Sequence, residues 1–314
     1  MKQYGSGLKT RTWLMAAFVA VSMTGCGSGD DGKIFGNPAD PGTLPPGAAA
    51  AGGPPGPAVV GPALGVAATF GDFGGTAGTT NQGTLTQIIG GDLGTTATAT
   101  SSITGFHDSA GDVYTETGAN IGAVSGKIFT CAVSTTGPTS AAVNPASCAL
   151  ATQARLDAQT AYLALAAKPA GANPGANLSG LTLAPGVYTA PAGSFLIQNG
   201  TSNAAGDLTL DGQGSAGATF VFQMASSLTV GGPGAAFPRS INLINGAQAK
   251  NVYWQVGSNA IINAGGGGTF AGTVISQAGA AVSTAASPTI TTINGRVISL
   301  GASVTLVNTI INVQ

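Results

Sequence analysis

Among the side chains that could do acid/base chemistry are Asp92, Asp108, Asp112 and Glu116, with Asp207 and Asp211 farther along and a single histidine, His107. Hydrolytic sites need two such groups whose surroundings push their proton affinities apart. Asp108 and Asp112 flank glycine in a polar stretch and read as turn residues, as does Asp211 before Gly212. His107 has no serine or cysteine nucleophile motif beside it, so it reads as a surface or packing residue. Gly265, Gly266, Gly267 and Gly268 resemble a phosphate loop only in composition, since no Lys-Ser/Thr pair follows and no helix opens after them. Two distant thiols and one imidazole do not make a four-ligand zinc site. The chain therefore reads as a non-enzyme that needs no cofactor and no metal.

The scarcity of charge is itself informative. Charged residues are 7% of the chain, against about 25% in an ordinary soluble protein. After Asp211 no carboxylate side chain occurs, and Arg239, Lys250 and Arg296 are the only charges. Such a surface is a poor platform for acid/base work and a good one for a neutral, extended, water-like ligand.

The elements that must carry such a surface begin with an export signal. Lys2, Lys9 and Arg11 precede an apolar run from Trp13 to Met23, too short to span a bilayer. Met23-Thr24-Gly25-Cys26 then resembles a bacterial lipobox, with Cys26 as the lipidated residue and a plain secretory signal as the alternative. Several acyl chains on one cysteine would anchor the protein firmly. The expected location is the outer membrane or cell surface, or else secretion. With Cys26 lipidated, Cys131 and Cys148 remain to form a disulfide in an oxidising compartment, worth about 3 kcal/mol for a loop of that size. Removing Lys2, Lys9 and Arg11 from the ten bases leaves seven against eleven acids, which gives no electrostatic reason to bind nucleic acid or anionic lipid.

Residues 1–25 thus read as a signal peptide and 26–62 as a Gly/Pro/Ala tether too poor in apolar residues to bury a core. Residues 63–314 read as one folded domain. A helix is predicted over about 149–167, where Leu150, Ala154, Ala158, Ala161 and Leu165 share a face and Pro169 and Gly171 end it. Beyond it come short alternating strands, Asp207–Asp211, Phe220–Phe222 and Val252–Val256, separated by glycine-rich corners.

Gly272-Thr273-Val274-Ile275-Ser276 recurs as Gly295-Arg296-Val297-Ile298-Ser299, and Val282 and Val304 form a second series with nearly the same period. Two strand series on one period of about 22 residues indicate a β-solenoid, which a sandwich would not produce. Stacked strands about 4.8 Å apart, with alternate side chains about 6.7 Å apart, would turn Thr, Ser, Ala and Gly into a flat grid of methyls and hydroxyls able to hold water in an ordered array. Threonine is also simply a good strand former.

Several blocks add a resemblance. These are Leu64–Phe70, Gly90–Gly94, Leu183–Tyr188, Leu208–Gly214, Phe220–Gln223, Ile244–Gly257, Thr269–Gly272 and Asn294–Arg296. Together and in order, they are similar to the ice-binding proteins of cold-adapted bacteria, fungi and algae, and cover essentially all of 63–314. The resemblance implies a mostly β fold, a right-handed irregular (discontinuous) β-solenoid with one long α-helix packed along its side. It implies a non-enzymatic protein whose partner is the ice crystal surface, slowing ice growth and recrystallisation. The alternative is a surface adhesin or structural solenoid without ice activity. Trp254, Phe220 and Phe222 are expected to pack inward, and Lys250 and Arg296 to bond backbone or cap a coil end.

Active members often carry Thr-Ala/Gly-X-Thr/Asn on successive coils. Thr76-Ala77-Gly78-Thr79 matches, and Thr284-Ala285-Ala286-Ser287 differs by one hydroxyl swap, so Thr76, Thr79, Thr284, Ser287 and Thr289 are the candidate ice-binding residues. Val230–Pro233 and Ala264–Gly267 lack threonine. That departure implies a small or irregular face, moderate thermal hysteresis and better preserved inhibition of recrystallisation. Oligomeric state is not readable from the sequence.

Overall fold

The computed structural model describes residues 59–285 and 288–314. The expected signal peptide, Cys26 and the tether as far as residue 58 lie outside the described residues, as do Ala286 and Ser287. The chain builds three parallel-stranded walls around one apolar interior, flanked by a single long helix. One wall is a seven-stranded sheet, ordered Phe195–Ile197, Leu228–Val230, Ala260–Ile262, Ala280–Val282, Val304–Leu306, Thr79–Asn81 and Ile103–Thr104. The other two merge into a 13-stranded sheet, because the long strands Thr269–Ser276 and Thr291–Ser299 turn the corner between them. Their N-terminal halves lead on to Thr309–Asn312, and the C-terminal half of Thr291–Ser299 pairs with Phe70–Gly74. A three-stranded sheet, Thr182–Leu183, Leu208–Asp211 and Ile241–Ile244, completes the far end.

The stacking order departs from the chain order. Phe70–Gly74 lies beside Thr291–Ser299, Thr79–Asn81 beside Val304–Leu306 and Thr86–Ile89 beside Thr309–Asn312, so the first coil docks on the last. The helix makes this possible by carrying the chain from the early coils back along one wall. It runs Pro145–Ala166, four residues earlier than its sequence pattern suggests. Asn144 caps it by accepting from the amides of Ala146 and Ser147, and Pro145 occupies the first turn, where a missing N–H costs nothing. Its small face, Ala151, Ala154, Ala158, Ala161 and Leu165, lets it lie close on Phe70, Phe73, Val221, Ile275 and Ile298, and that wall is consequently covered. Val59 packs on this second core and Gly61 lies against the Tyr253 ring, where a side chain would not fit. The folded body therefore includes residues 59–62, which composition alone assigns to the tether.

Inside the coils, Phe222 stacks on Trp254 with ring centroids 3.9 Å apart, and the Trp254 indole N–H donates to Ala271 O at 3.0 Å. Phe220, Phe222 and Trp254 all face this interior, as the sequence indicates. Arg296 bonds backbone, donating from Nε and Nη2 to Ala68 O at 2.9 and 2.7 Å and from Nη2 to Gln314 O at 2.7 Å. Lys250 sits exposed in the short turn Ala249–Asn251.

The repeat holds in part. Gly272 pairs with Gly295 and Ser276 with Ser299, but Val304 pairs with Ala280, and Val282 faces Leu306. The corner from Leu300 to Ser303 is one residue longer than that from Gln277 to Gly279, which shifts the second wall's register. Coil length varies more widely elsewhere, since Met224 pairs with Val256 and Val256 with Ser276. The surplus is taken up in corners. Two corners are closed by buried asparagines. Asn81 donates to Gly83 O and Gly105 O at 2.7 and 3.1 Å, and Asn263 donates to Arg239 O and Gly267 O at 2.9 and 2.8 Å.

Candidate functional site: the open seven-stranded face

Every strand of the seven-stranded sheet from Phe195–Ile197 to Val304–Leu306, and Thr79–Asn81 after them, buries its first and third residues and turns the second outward. Pairing then sets the outward residues in one column: Leu196, Thr229, Ile261, Ala281, Thr305, Thr80 and, on the last strand, Thr104. All seven remain partly exposed. At about 4.8 Å per strand the column is about 29 Å long. Two residues earlier on each strand runs a parallel column of Ser194, Ser227, Asn259, Gly279, Ser303, Gly78 and Ser102, linked through the continuing backbone ladder that joins Phe195 N to Ser227 O and Val304 N to Gly78 O. Ser194 and Ser227 hydroxyls lie 3.1 Å apart. Neither column contains an ionisable group. Gly78 is required to be glycine: its φ is +104° and a Cβ would collide with Ser102 O. The result is a neutral grid of hydroxyls, aliphatic groups and one amide, with glycine at two positions of the second column.

The residues that the sequence singles out do not converge on this grid. Thr79 is fully buried and points into the solenoid, so it cannot meet an external surface. Its neighbour Thr80 does. The Thr-Ala-Gly-Thr match is one residue out of phase with the strand, and in a period-two structure that moves a side chain to the other face. Thr76 is exposed but lies in the turn ahead of its strand, donating to Gly301 O at 2.7 Å. Thr284 is exposed two residues beyond the end of Ala280–Val282, hence on the opposite edge of the sheet from Thr76. Thr289 is exposed farther along the same connection, and Ser287 lies outside the described residues. Val230, read as the first residue of a degenerate motif, is also inward, while Thr229 before it faces out. Alternation between apolar flanks is the signal that marks Thr229 and Thr305, whereas Thr80, in Thr79-Thr80-Asn81, is placed by the stacking.

The carboxylates that the sequence brings forward are engaged by local structure. Asp108 Oδ1 accepts from the amides of Ala110 and Asp112 at 2.9 and 3.0 Å, and its Oδ2 from Ile128 N at 2.9 Å. Asp112 accepts from Ser134 Oγ and Thr139 N, both at 2.8 Å. Asp211 accepts from Gln213 N at 2.8 Å and from Asn245 Nδ2 at 2.9 Å, closing the turn expected of it. His107 Nδ1 lies 2.6 Å from Glu116 Oε1, both residues half-buried. Among the described residues no group of three His, Cys, Asp or Glu side chains could hold a metal ion.

Cys131 and Cys148 form the disulfide, with Cα atoms 4.3 Å apart, tying the end of strand Ile128–Thr130 to the first turn of the helix. A charge that the sequence gives no hint of is buried at a corner. Arg239 is 1% exposed, and its guanidinium donates to the carbonyls of Gln198, Gly200, Ser202 and Pro238. It ties the corners of neighbouring coils together beyond the edge of the seven-stranded sheet.

With this geometry in hand, comparison with known proteins is direct. A model of the Ice-binding-like family matches residues 73–312. Ice-binding protein 1 of Shewanella frigidimarina (strain NCIMB 400) is 38% identical over 161 residues, 49% of this chain and 16% of that protein. An ice-binding protein of Nostoc sp. (strain HG1) is 35% identical over 204 residues, 64% of this chain and 58% of that protein. The chain thus spans only part of the length of both relatives. Among solved structures, the domain of Shewanella frigidimarina ice-binding protein 1 superposes with a TM-score of 0.62 at 32% identity, covering 81% of this chain and 97% of that one.

Proposed function

We propose that this chain, which belongs to the Ice-binding-like family, adsorbs to ice through the open face of its seven-stranded sheet. The observation that carries this reading is the uninterrupted column from Leu196 to Thr104 with its companion from Ser194 to Ser102. Hydroxyls of Thr229, Thr305, Thr80 and Thr104 anchor surface water by hydrogen bonds, and the methyls beside them space it. Because backbone pairing fixes the grid before ice arrives, little side-chain entropy is lost on adsorption. Adsorbed molecules then curve the ice front between them and oppose its advance.

The hydroxyls cluster toward one end. Thr305, Thr80 and Thr104 are consecutive, whereas Leu196 and Ile261 bring bulky aliphatic groups to the other end. The end nearer Thr104 is therefore assigned the greater share of ice affinity. Export through the leader and attachment through Cys26 would place this face outside the cytoplasm, raised from the lipid by the Gly/Pro/Ala segment. The test is ice-affinity partitioning of Thr80→Tyr and Thr305→Tyr, each of which inserts a ring into the column. Loss of incorporation into growing ice is expected; partitioning equal to the parent would remove this face from consideration.

A further inference from the structure

The line along which the first coil docks on the last is a seam of paired strands, Phe70–Gly74 on Thr291–Ser299 in one wall and Thr79–Asn81 on Val304–Leu306 in another, with Arg296 donating to Ala68 O and Thr76 to Gly301 O across it. Asp72 sits on that seam. Its backbone pairs with Val297 on one side and Leu93 on the other, both interior residues, and it is fully buried. Neither carboxyl oxygen has a hydrogen-bond partner, and neither has the buried hydroxyl of Thr79 on the adjoining strand. Only five buried side-chain polar atoms among the described residues lack a partner, and these are three of them. Unpaired buried polar atoms are rare enough that such a concentration asks for a cause.

The chemistry of the site favours the acid over the carboxylate. A bare negative charge in an apolar interior loses its water and gains nothing in return. The Thr79 hydroxyl and the Phe73 amide lie beside the carboxyl and favour ionisation, but neither meets it with hydrogen-bond geometry, and desolvation outweighs both, pushing the Asp72 carboxyl up to about 8. No cation offsets this. Of the elements packed on Phe70–Gly74, Thr291–Ser299 carries Arg296, whose guanidinium donates to Ala68 O and Gln314 O, Asp92–Thr95 carries Asp92, which accepts from Lys127 N, and the helix Pro145–Ala166 carries Arg155, which donates to Leu300 O, and Asp157, which accepts from Val66 N. Strands Thr79–Asn81, Thr86–Ile89, Val304–Leu306 and Thr309–Asn312 and the turn Gly65–Thr69 carry no ionisable side chain. Neither Arg296 nor Asp92 contributes to the shift at Asp72.

We propose that Asp72 is held as a neutral acid and acts as a pH-operated latch on the seam, closed while protonated and forced open when it ionises. The folded-state affinity for the proton is raised above the unfolded value of 3.8. The stabilisation is therefore fully present below about pH 4, declines as pH rises and is gone above about pH 8, with the folding equilibrium falling about tenfold per pH unit between. The seam crosses the seven-stranded face between Thr305 and Thr80, so an open latch also splits the outward column there. That consequence rests on the proposed function; the latch does not.

The test is denaturant unfolding of the full chain and of Asp72→Asn at intervals from about pH 5 to about pH 10, where other carboxylates stay ionised. The parent's folding constant should fall relative to the variant's by about tenfold per pH unit up to about pH 8 and then run level. Amide exchange across the Phe70–Gly74 and Thr291–Ser299 pairing should accelerate at alkaline pH in the parent more than in the variant. Parallel stability curves overturn the latch. If the variant does not fold, the infrared carbonyl stretch of a protonated carboxylic acid in the parent decides the matter: present at neutral pH and lost in alkali it supports the latch, absent at neutral pH it overturns it. Neither readout involves ice, so the latch and the ice-binding face can fail separately.

Discussion

The solenoid has two open walls, and they are built alike but furnished differently. On the 13-stranded sheet, Thr269, Thr292, Ile310, Gln87, Ala123 and His107 form an outward column by the same parallel pairing that aligns Leu196 through Thr104. Beside it Asn312 donates to Asn294 at 3.0 Å, and Leu85, Ile89 and Ile121 are 42%, 42% and 39% exposed. His107 is the one ionisable side chain in either outward column. Long branched and amide side chains crowd one wall, each with several rotamers and with hydrogen-bonding groups that satisfy one another. On the other, short side chains prevail from Ala281 to Thr104, and Leu196 and Ile261 are confined to the opposite end. The lesson is that strand stacking supplies spacing on both walls, while side-chain length decides whether that spacing reaches the solvent.

The sharpest way to break this comparison is to place the same bulky ring on each wall. Thr80→Tyr should abolish thermal hysteresis, because Thr80 lies between Thr305 and Thr104 in the hydroxyl-rich end of the column. Gln87→Tyr, at a more exposed position on the other wall between Ile310 and Ala123, should leave it unchanged. Equal losses from both would mean that adsorption spreads over two walls; loss from Gln87→Tyr alone would transfer the site.

A second perturbation should affect both walls together. Trp254 stacks on Phe222 and lies fully buried in the interior that all the walls enclose. Trp254→Ala is expected to cost about 3 to 5 kcal/mol in denaturant unfolding, the usual range for emptying an aromatic site. Surviving folded protein should then show faster amide exchange on both walls. Acceleration on one wall only would show that the coils are not a single cooperative unit.

Removing the Cys131–Cys148 crosslink acts on the helix side instead. Replacing both cysteines by serine should lower stability by about 3 kcal/mol, from the loop closed in the unfolded chain. Ice partitioning in the cold should persist, since the bridge joins the helix to strand Ile128–Thr130 rather than to either open wall. Loss of partitioning with the fold intact would mean that the helix wall takes part in adsorption.

Much of this architecture is legible in the sequence because it rests on local pattern. Ala154, Ala158, Ala161 and Leu165 mark the covered wall, and Gly272 and Gly295 mark equivalent corners that later prove to be hydrogen-bonded neighbours. The helix start lies outside the apolar spacing, which begins at Leu150; the cap Asn144 followed by the first-turn Pro145 marks it instead. Three things depend on stacking and could not be read locally. The docking of the first coil on the last is invisible along the chain, and with it the burial of Asp72 in Phe70-Gly71-Asp72-Phe73. The buried hub at Arg239 depends on carbonyls of a different coil. The phase of each short strand, which separates Thr79 from Thr80, is fixed by corner length rather than by residue type.

That phase is the subject of the smallest and most discriminating test. Thr79 and Thr80 are adjacent threonines on one strand, the first fully buried with an unpartnered hydroxyl and the second facing out. Thr79→Val keeps the shape and removes a buried hydroxyl that bonds to nothing, so it should stabilise the fold by about 1 kcal/mol and leave ice partitioning alone. Thr80→Val keeps the methyl and removes an exposed hydroxyl, so stability should stay within about 0.5 kcal/mol while ice partitioning weakens. Opposite responses from chemically identical substitutions one residue apart would locate the working surface to a single side of the strand. The reverse pattern, with Thr79 governing ice and Thr80 governing stability, would mean that the outward column is assigned to the wrong parity and that the four-residue motif was the better guide.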